Sequence, residues 1–138
     1  MDRNQIYQFL RDNPVFSLAT VDQDKPAVRC MALYKADEQG ILFSTSKKKN
    51  LHEQLCRNPQ VEMLFYNPDD NLQVRVSGKV MLVEDLDLKK RVVEKFSFLE
   101  DWIKEVGYDT MAIWKVLDAD AAYWKMEEGV EEQETVRL

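Results

Sequence analysis

The chain has little of what metal centres, disulfide scaffolds and membrane spans are made from. Its 138 residues hold two cysteines, Cys30 and Cys56, and one histidine, His52. None of the three has metal-ligand spacing, and nothing marks a secretory context. Reduced, packed thiols are therefore expected, with His52 in a surface or partly buried packing role. No apolar run approaches the roughly 20 residues that cross a bilayer, and no signal-peptide pattern stands at the N-terminus, so a cytoplasmic protein without a membrane partner is expected. The four glycines form no glycine-rich loop, which excludes a Walker or Rossmann phosphate site. There is no internal repeat, linker or composition shift, so residues 1–138 read as one domain. Positive charge is the minority sign, with 19 Lys and Arg against 25 Asp and Glu. The resulting net charge of −6 argues against a general nucleic-acid surface but leaves room for a local basic pocket.

What is present is a well-supplied core, 45% hydrophobic, cut into short segments. Asp2 followed by Ile6, Phe9 and Leu10 predicts a helix ending near Asn13-Pro14. "VFSLATV" (15–21) and "AVRCMALYKA" (27–36) flank the turn-like "DQDKP" and read as a hairpin. "ILFSTS" (41–46) is a further strand, and helical spacing through Leu51 and Leu55 then runs to Asn58-Pro59. "QVEMLFY" (60–66) and "LQVRVSGKVMLVE" (72–84) are strands, and Gly78 within the second predicts a bulge or a close backbone approach. A helix from Asp85 with Leu88, Val92 and Phe96 on one side follows, then a helical turn or two in 97–107. One or two closing strands come at 110–127, and the acidic "EEGVEEQETVRL" is expected to fray or lie on the surface. Several strands with few, short helices predict a mainly β (α+β) fold, an antiparallel barrel with helices at its edges.

One stretch resists this ordinary reading. In "FSTSKKKN" (43–50) Ser46 is the expected helix N-cap, which places Lys47, Lys48 and Lys49 in a first turn. A helix N-terminus carries about half a positive charge, so each cation there is disfavoured by about 0.3–1 kcal/mol. The helix at Asp85 instead has acidic residues before its first turn. The lysines are either a solvated face or, with the Ser44, Thr45 and Ser46 hydroxyls and the helix-start N–H groups, a phosphate cradle. Arg29 shares a strand face with Ala27, Met31 and Leu33, which makes it an exposed arginine or one held by a ligand anion or carbonyl. Gln73, Arg75 and Ser77 share a face that is either solvent-facing or a polar pocket wall.

In their order and spacing, "PAVRCMALY", "GILFSTSKKKNLHEQLCRNPQVEMLFY" and "LQVRVSGKVMLVED" resemble the pyridoxamine 5′-phosphate oxidase-like FMN-binding split barrels, over most of positions 13–84. The resemblance implies a six-stranded antiparallel split barrel of Greek-key type, flanked by short helices. It implies a homodimer with FMN at the interface. It assigns FMN contacts to Arg29, Cys30 and Met31, phosphate contacts to Ser44, Thr45, Ser46 and Lys49, and a further flavin contact to Gln73. Lys47 and Lys48 are left to solvent, and Trp124 is either near the flavin or an ordinary core or interface residue.

The sequence also departs from that pattern. Lys49-Asn50-Leu51 stands where the vitamin B6 oxidases carry Ser-Arg-Lys, and the C-terminus has no counterpart of their Arg-x-His segment. The resemblance therefore does not extend to pyridoxamine phosphate oxidation. The expected function is an FMN-dependent oxidoreductase acting on an unidentified small molecule, with flavin or haem storage in a stress-response protein as the alternative. The redox chemistry belongs to the isoalloxazine, so no acid–base residue is required.

Overall fold

Alternation of large apolar residues along successive strands builds the walls. In the computed structural model, which describes residues 1–129, 131 and 135–138, Phe16 and Leu18 of β1 (Val15–Asp22) point inward while Val15, Ser17 and Ala19 point out. The same period-two pattern runs through β4 (Gln60–Asn67) and the first half of β5 (Leu72–Val83). With β2 (Lys25–Asp37), β3 (Gly40–Ser46) and β6 (Met111–Lys125) these strands lie in the order β3-β2-β1-β4-β5-β6, and β3 also pairs with β6. That last pairing closes a six-stranded antiparallel barrel. The crossover from β3 to β4, beside β1, makes the topology a Greek key.

Closure depends on two long strands that bend. β6 kinks at Asp118, where φ is 51°, and its two halves pair with β5 on either side of a register shift at Ser77/Lys79. Gly78 sits at that shift, and a Cβ there would meet the Leu117 carbonyl oxygen at 2.7 Å, so bulge and close approach coincide. Inside, Phe16 stacks on Phe65 at 5.0 Å and meets Phe43 edge-on at 5.9 Å, with all three rings buried. Truncating one of them to alanine removes about 3–5 kcal/mol. Helix α1 (Arg3–Asp12) packs Ile6 and Leu10 into the same core, and its capping box joins Asp2 and Gln5 through two 2.8 Å bonds.

Helix α2 (Asn50–Arg57) bridges β3 to β4, while α3 (Leu86–Lys95) and α4 (Glu100–Val106) fill the β5–β6 connection and carry a second apolar cluster around Val92, Ile103 and Ile113. The structure corrects several sequence readings here. Ser46 is not the cap of α2: the N-cap is Lys49, and Lys47 and Lys48 lie in the preceding turn, outside the helix. On α3, Lys89 is only 3% exposed, because its ammonium finds Glu84 at 3.0 Å and the Tyr108 carbonyl at 3.0 Å. Both thiols are free but exposed rather than packed. The tail expected to fray returns in part: β7 (Val136–Arg137) pairs with Asp120–Ala121 outside the barrel, fastened by Arg137 to Asp120 at 3.2 Å. Its positions 130 and 132–134 fall outside the described residues.

Candidate functional site

Where β2 and β3 meet α2, the inward faces run out of apolar side chains. Phe16 and Leu18 are followed on the same face by Thr20, and the buried stripe of α2 reads Leu51, Gln54, Leu55, with a polar residue in the middle. Arg29 reaches into this end of the barrel. Its guanidinium donates to Thr20 Oγ1 at 2.8 Å, to Gln54 Oε1 at 2.6 Å and to the Leu18 carbonyl at 3.2 Å, and Thr20 in turn donates to Gln54 Oε1 at 2.8 Å. Every acceptor is neutral. Among the described residues Arg29 has no carboxylate partner, and burial lowers its pKa below the ordinary value without discharging an arginine. A fixed, half-buried cation with only dipoles around it is an anion-seeking group.

Beside Arg29 lies a hollow of about 610 Å³ lined by Cys30, Met31, Thr45, Lys48, Lys49, Asn50, Leu51 and Gln54. Thr45 shares the inward side of β3 with Phe43 and is 8% exposed, yet its Oγ1 is buried without a hydrogen-bond partner. An orphan hydroxyl of this kind costs about 1–3 kcal/mol unless something outside the chain satisfies it. The start of α2 is equally unsatisfied: Lys49 occupies the N-cap in extended backbone with no side-chain bond, so N–H groups of the first turn remain available. The lysines themselves divide. Lys47 is withdrawn, paired with Glu84 at 2.8 Å, whereas Lys48 and Lys49 have no carboxylate partner among the described residues. Ser46 Oγ accepts from the Lys48 N–H at 3.2 Å and shapes the turn that presents them.

A second cleft of about 440 Å³ continues from the same floor. Cys30, Met31, Ala32, Ser44, Thr45, Ser46 and Lys49 line one side, and Phe96, Phe98, Leu99, Trp102 and Met111 line the other. Phe98 is 78% exposed at its lip. The two hollows thus join a basic, hydroxyl-rich half to an aromatic half that carries no carboxylate or histidine. Such a pair suits a flat ring bearing a phosphate.

Of the residues singled out in the sequence, Arg29, Cys30, Met31, Thr45 and Lys49 share the first hollow, Ser44 and Ser46 line only the second, on the other side of β3 from Thr45, and Gln73 stands apart. Gln73 lies on the outer face of β5, in a separate shallow hollow with Ser17, Leu64 and Tyr66, and meets the others only through Cys30, which lines all three. Arg75, on the same face, pairs with Glu62 at 3.2 Å. His52 is half-buried against Trp114, with ring centroids 5.5 Å apart, so its packing role stands. Sequence reasoning missed Thr20, Gln54 and the aromatic wall. The first two were findable, since each is a polar residue at a core position of a regular apolar period. The wall was not, because Phe96, Phe98, Leu99 and Trp102 come from a helix end, a turn and a second helix that only folding brings together.

Residues 3–119 match the family model described as pyridoxamine 5′-phosphate oxidase. The chain is 37% identical over 65 residues to a pyridoxine/pyridoxamine 5′-phosphate oxidase of Burkholderia mallei, covering 46% of this chain and 30% of that one. It is 31% identical over 93 residues to that of Paraburkholderia phytofirmans, covering 59% and 44%. It thus spans less than half the length of these curated relatives. Among solved structures, a NimC/NimA family protein from Clostridium acetobutylicum superposes with a TM-score of 0.80 at 22% identity, covering 99% of this chain and 92% of that one. General Stress Protein 26 from Bacillus anthracis gives 0.73 at 20%, covering 99% and 98%. A pyridoxamine 5′-phosphate oxidase-related, FMN-binding protein from Nostoc punctiforme gives 0.69 at 17%, covering 94% and 87%. At these identities the structural likenesses establish the fold alone.

Proposed function

Since the chain belongs to the pyridoxamine 5′-phosphate oxidase family, we propose that it binds FMN at the β2–β3–α2 end of the barrel and uses it as an oxidoreductase on a small molecule. The observation that carries this reading is the buried Thr45 hydroxyl beside Lys49 and Arg29, a hydroxyl without a hydrogen-bond partner and cations without a carboxylate among the described residues. A phosphate satisfies all of them at once. In this reading Lys49, Thr45 and the Ser44 and Ser46 hydroxyls hold the phosphate together with the first N–H groups of α2. Lys48 joins Lys49 as a candidate, because it lines the hollow and is free of an ion pair among the described residues.

Bound FMN would supply acceptance and return of a hydride or of electrons. The chain's own part is positional. Thr20 and Gln54 fix the Arg29 guanidinium, which then favours anionic character on the ring side. The backbone and side chains of Cys30 and Met31 form the floor, and Phe96, Leu99 and Trp102 exclude water from the apolar half.

The homodimer belongs to the same proposal. On the outer face of β2-β1-β4, Val15 is 67% exposed, Val28 69%, Leu64 37% and Tyr66 49%, and the face is continuous with Cys30 and Gln73. An apolar sheet face of this extent is suited to burial against a second copy, which would place Gln73 beside the flavin site. Light scattering on pure protein at micromolar concentration tests it, with a mass near twice 16.2 kDa expected.

The absorption spectrum of the protein as purified is the decisive first measurement. A flavin spectrum that bleaches with NAD(P)H supports the oxidoreductase, and one inert to reductants supports storage. A Soret band would replace flavin by haem, and a colourless protein that takes up no FMN would overturn both. Lys49→Glu should abolish tight FMN binding; wild-type affinity in that variant would refute the phosphate assignment.

A further inference from the structure

Glu84 follows β5 and precedes Asp85, the cap of α3. Its Oε1 accepts from Lys47 Nζ at 2.8 Å and its Oε2 from Lys89 Nζ at 3.0 Å. Lys89 is buried and also donates to the Tyr108 carbonyl at 3.0 Å, while the Lys47 backbone N–H donates to the Thr110 carbonyl at 2.8 Å. The carboxylate thus ties the basic turn 47–49 to helix α3, and the two lysines it holds in turn bind the turn that leads into β6. The two halves of the cleft, basic and aromatic, are thereby tied together, since Phe96 is the C-cap of α3 and Lys49 ends the basic turn. The two lysines hold the Glu84 carboxyl below the usual carboxylate range, in keeping with a charge engaged at both oxygens.

We propose that Glu84 is a positioning residue of the anion site: by holding Lys47 to the rear, it fixes the basic turn so that Lys49 is presented to a bound phosphate. This rests on the FMN reading above. An ordinary surface pair would have little effect on binding, but here one lysine is buried and the other begins the turn that carries the site. Simple electrostatics points the other way from positioning. A carboxylate near an anion site repels the anion, so its removal should tighten binding if charge alone mattered. The sign of the mutational effect therefore separates the two.

The test is FMN titration of wild type, Glu84→Gln, Lys47→Met and the double variant at neutral pH, with riboflavin as the ligand that lacks the phosphate. Thermal melts verify that each variant folds. Glu84→Gln is expected to weaken FMN roughly tenfold, within the usual coupling range of residues in one ion-pair network, although it removes a negative charge. Lys47→Met cuts the same tie from its other end and should also weaken FMN, and the double variant should bind no worse than the weaker single one. Riboflavin affinity should change much less. Glu84→Gln binding FMN as tightly as wild type, or more tightly, overturns the proposal, as does equal loss of FMN and riboflavin. Wild-type protein that binds no FMN overturns the underlying reading instead, and the proposal with it.

Discussion

Helix α3 begins at Asp85, whose carboxylate accepts from the Leu88 N–H at 3.1 Å, whereas α2 begins at Lys49, a cation with no side-chain cap. Both helices are short, both follow a strand, and both turn an apolar stripe inward. The difference lies in what the chain leaves undone. At α3 the orphan N–H groups and the positive end of the helix are served from within the sequence. At α2 they are left open, and Arg29, Lys48, Lys49 and the Thr45 hydroxyl are gathered around them without a carboxylate among the described residues. A helix start that is costly on its own terms is reasonable when a ligand completes it, so the proposed site would exchange stability for affinity.

The sharpest way to break this comparison is to make α2 resemble α3. Lys49→Asp supplies the missing cap and removes the cation. FMN affinity measured by fluorescence titration should fall by about a hundredfold, as for loss of a desolvated charge partner. The ligand-free protein should at the same time melt a few degrees higher, corresponding to about 0.5–1 kcal/mol of N-cap stabilisation. Thr45→Val follows the same logic with a smaller effect: FMN binding should weaken about tenfold, within the range for an unmade buried hydrogen bond, while ligand-free stability is unchanged or increased because the orphan hydroxyl is gone. If Thr45→Val lowers stability and leaves affinity intact, the hydroxyl serves the fold and not a ligand.

The converse experiment acts on α3. Asp85→Ala should cost about 1 kcal/mol in denaturant unfolding, the usual loss for a helix cap, with FMN affinity nearly unchanged. The smallest effect is a pH dependence. The folded Glu84 carboxyl titrates below its ordinary value, mainly through its bonds to Lys47 and Lys89. Its stabilisation is therefore present above the unfolded carboxylate value and is lost as pH falls through the folded one. The difference in melting temperature between wild type and Glu84→Gln should be steady near neutrality and close as pH drops below about 4.

The strands, the helix at Asp85 and the bulge at Gly78 were legible because each rests on a local rule: period-two alternation, a capping carboxylate, a residue without a Cβ where Leu117 comes within 2.7 Å. The grouping of Arg29, Thr45 and Lys49 came instead from the order and spacing of motifs that carry the resemblance, since by local rules alone the arginine and the lysines read equally well as solvent-facing. Misreadings arose where a distant partner decided the outcome. Ser46 has the chemistry of a cap, but β3 continues through it in register with Met111, so the helix starts later. The acidic tail has the look of a frayed end, but Val136 and Arg137 pair with Ala121 and Asp120 of β6.

By itself, then, the sequence marked the strands between 15 and 84 with one or two more at 110–127, made an antiparallel barrel the expected fold, and singled out one basic, hydroxyl-rich junction as either a solvated face or a phosphate cradle. These follow from interactions between near neighbours in the chain. Only the tertiary structure decided which lysine is withdrawn by Glu84, that Thr20 and Gln54 hold Arg29, and that an aromatic wall faces the cradle. Each of these is a contact between residues far apart in sequence, and such contacts exist only once the barrel has closed.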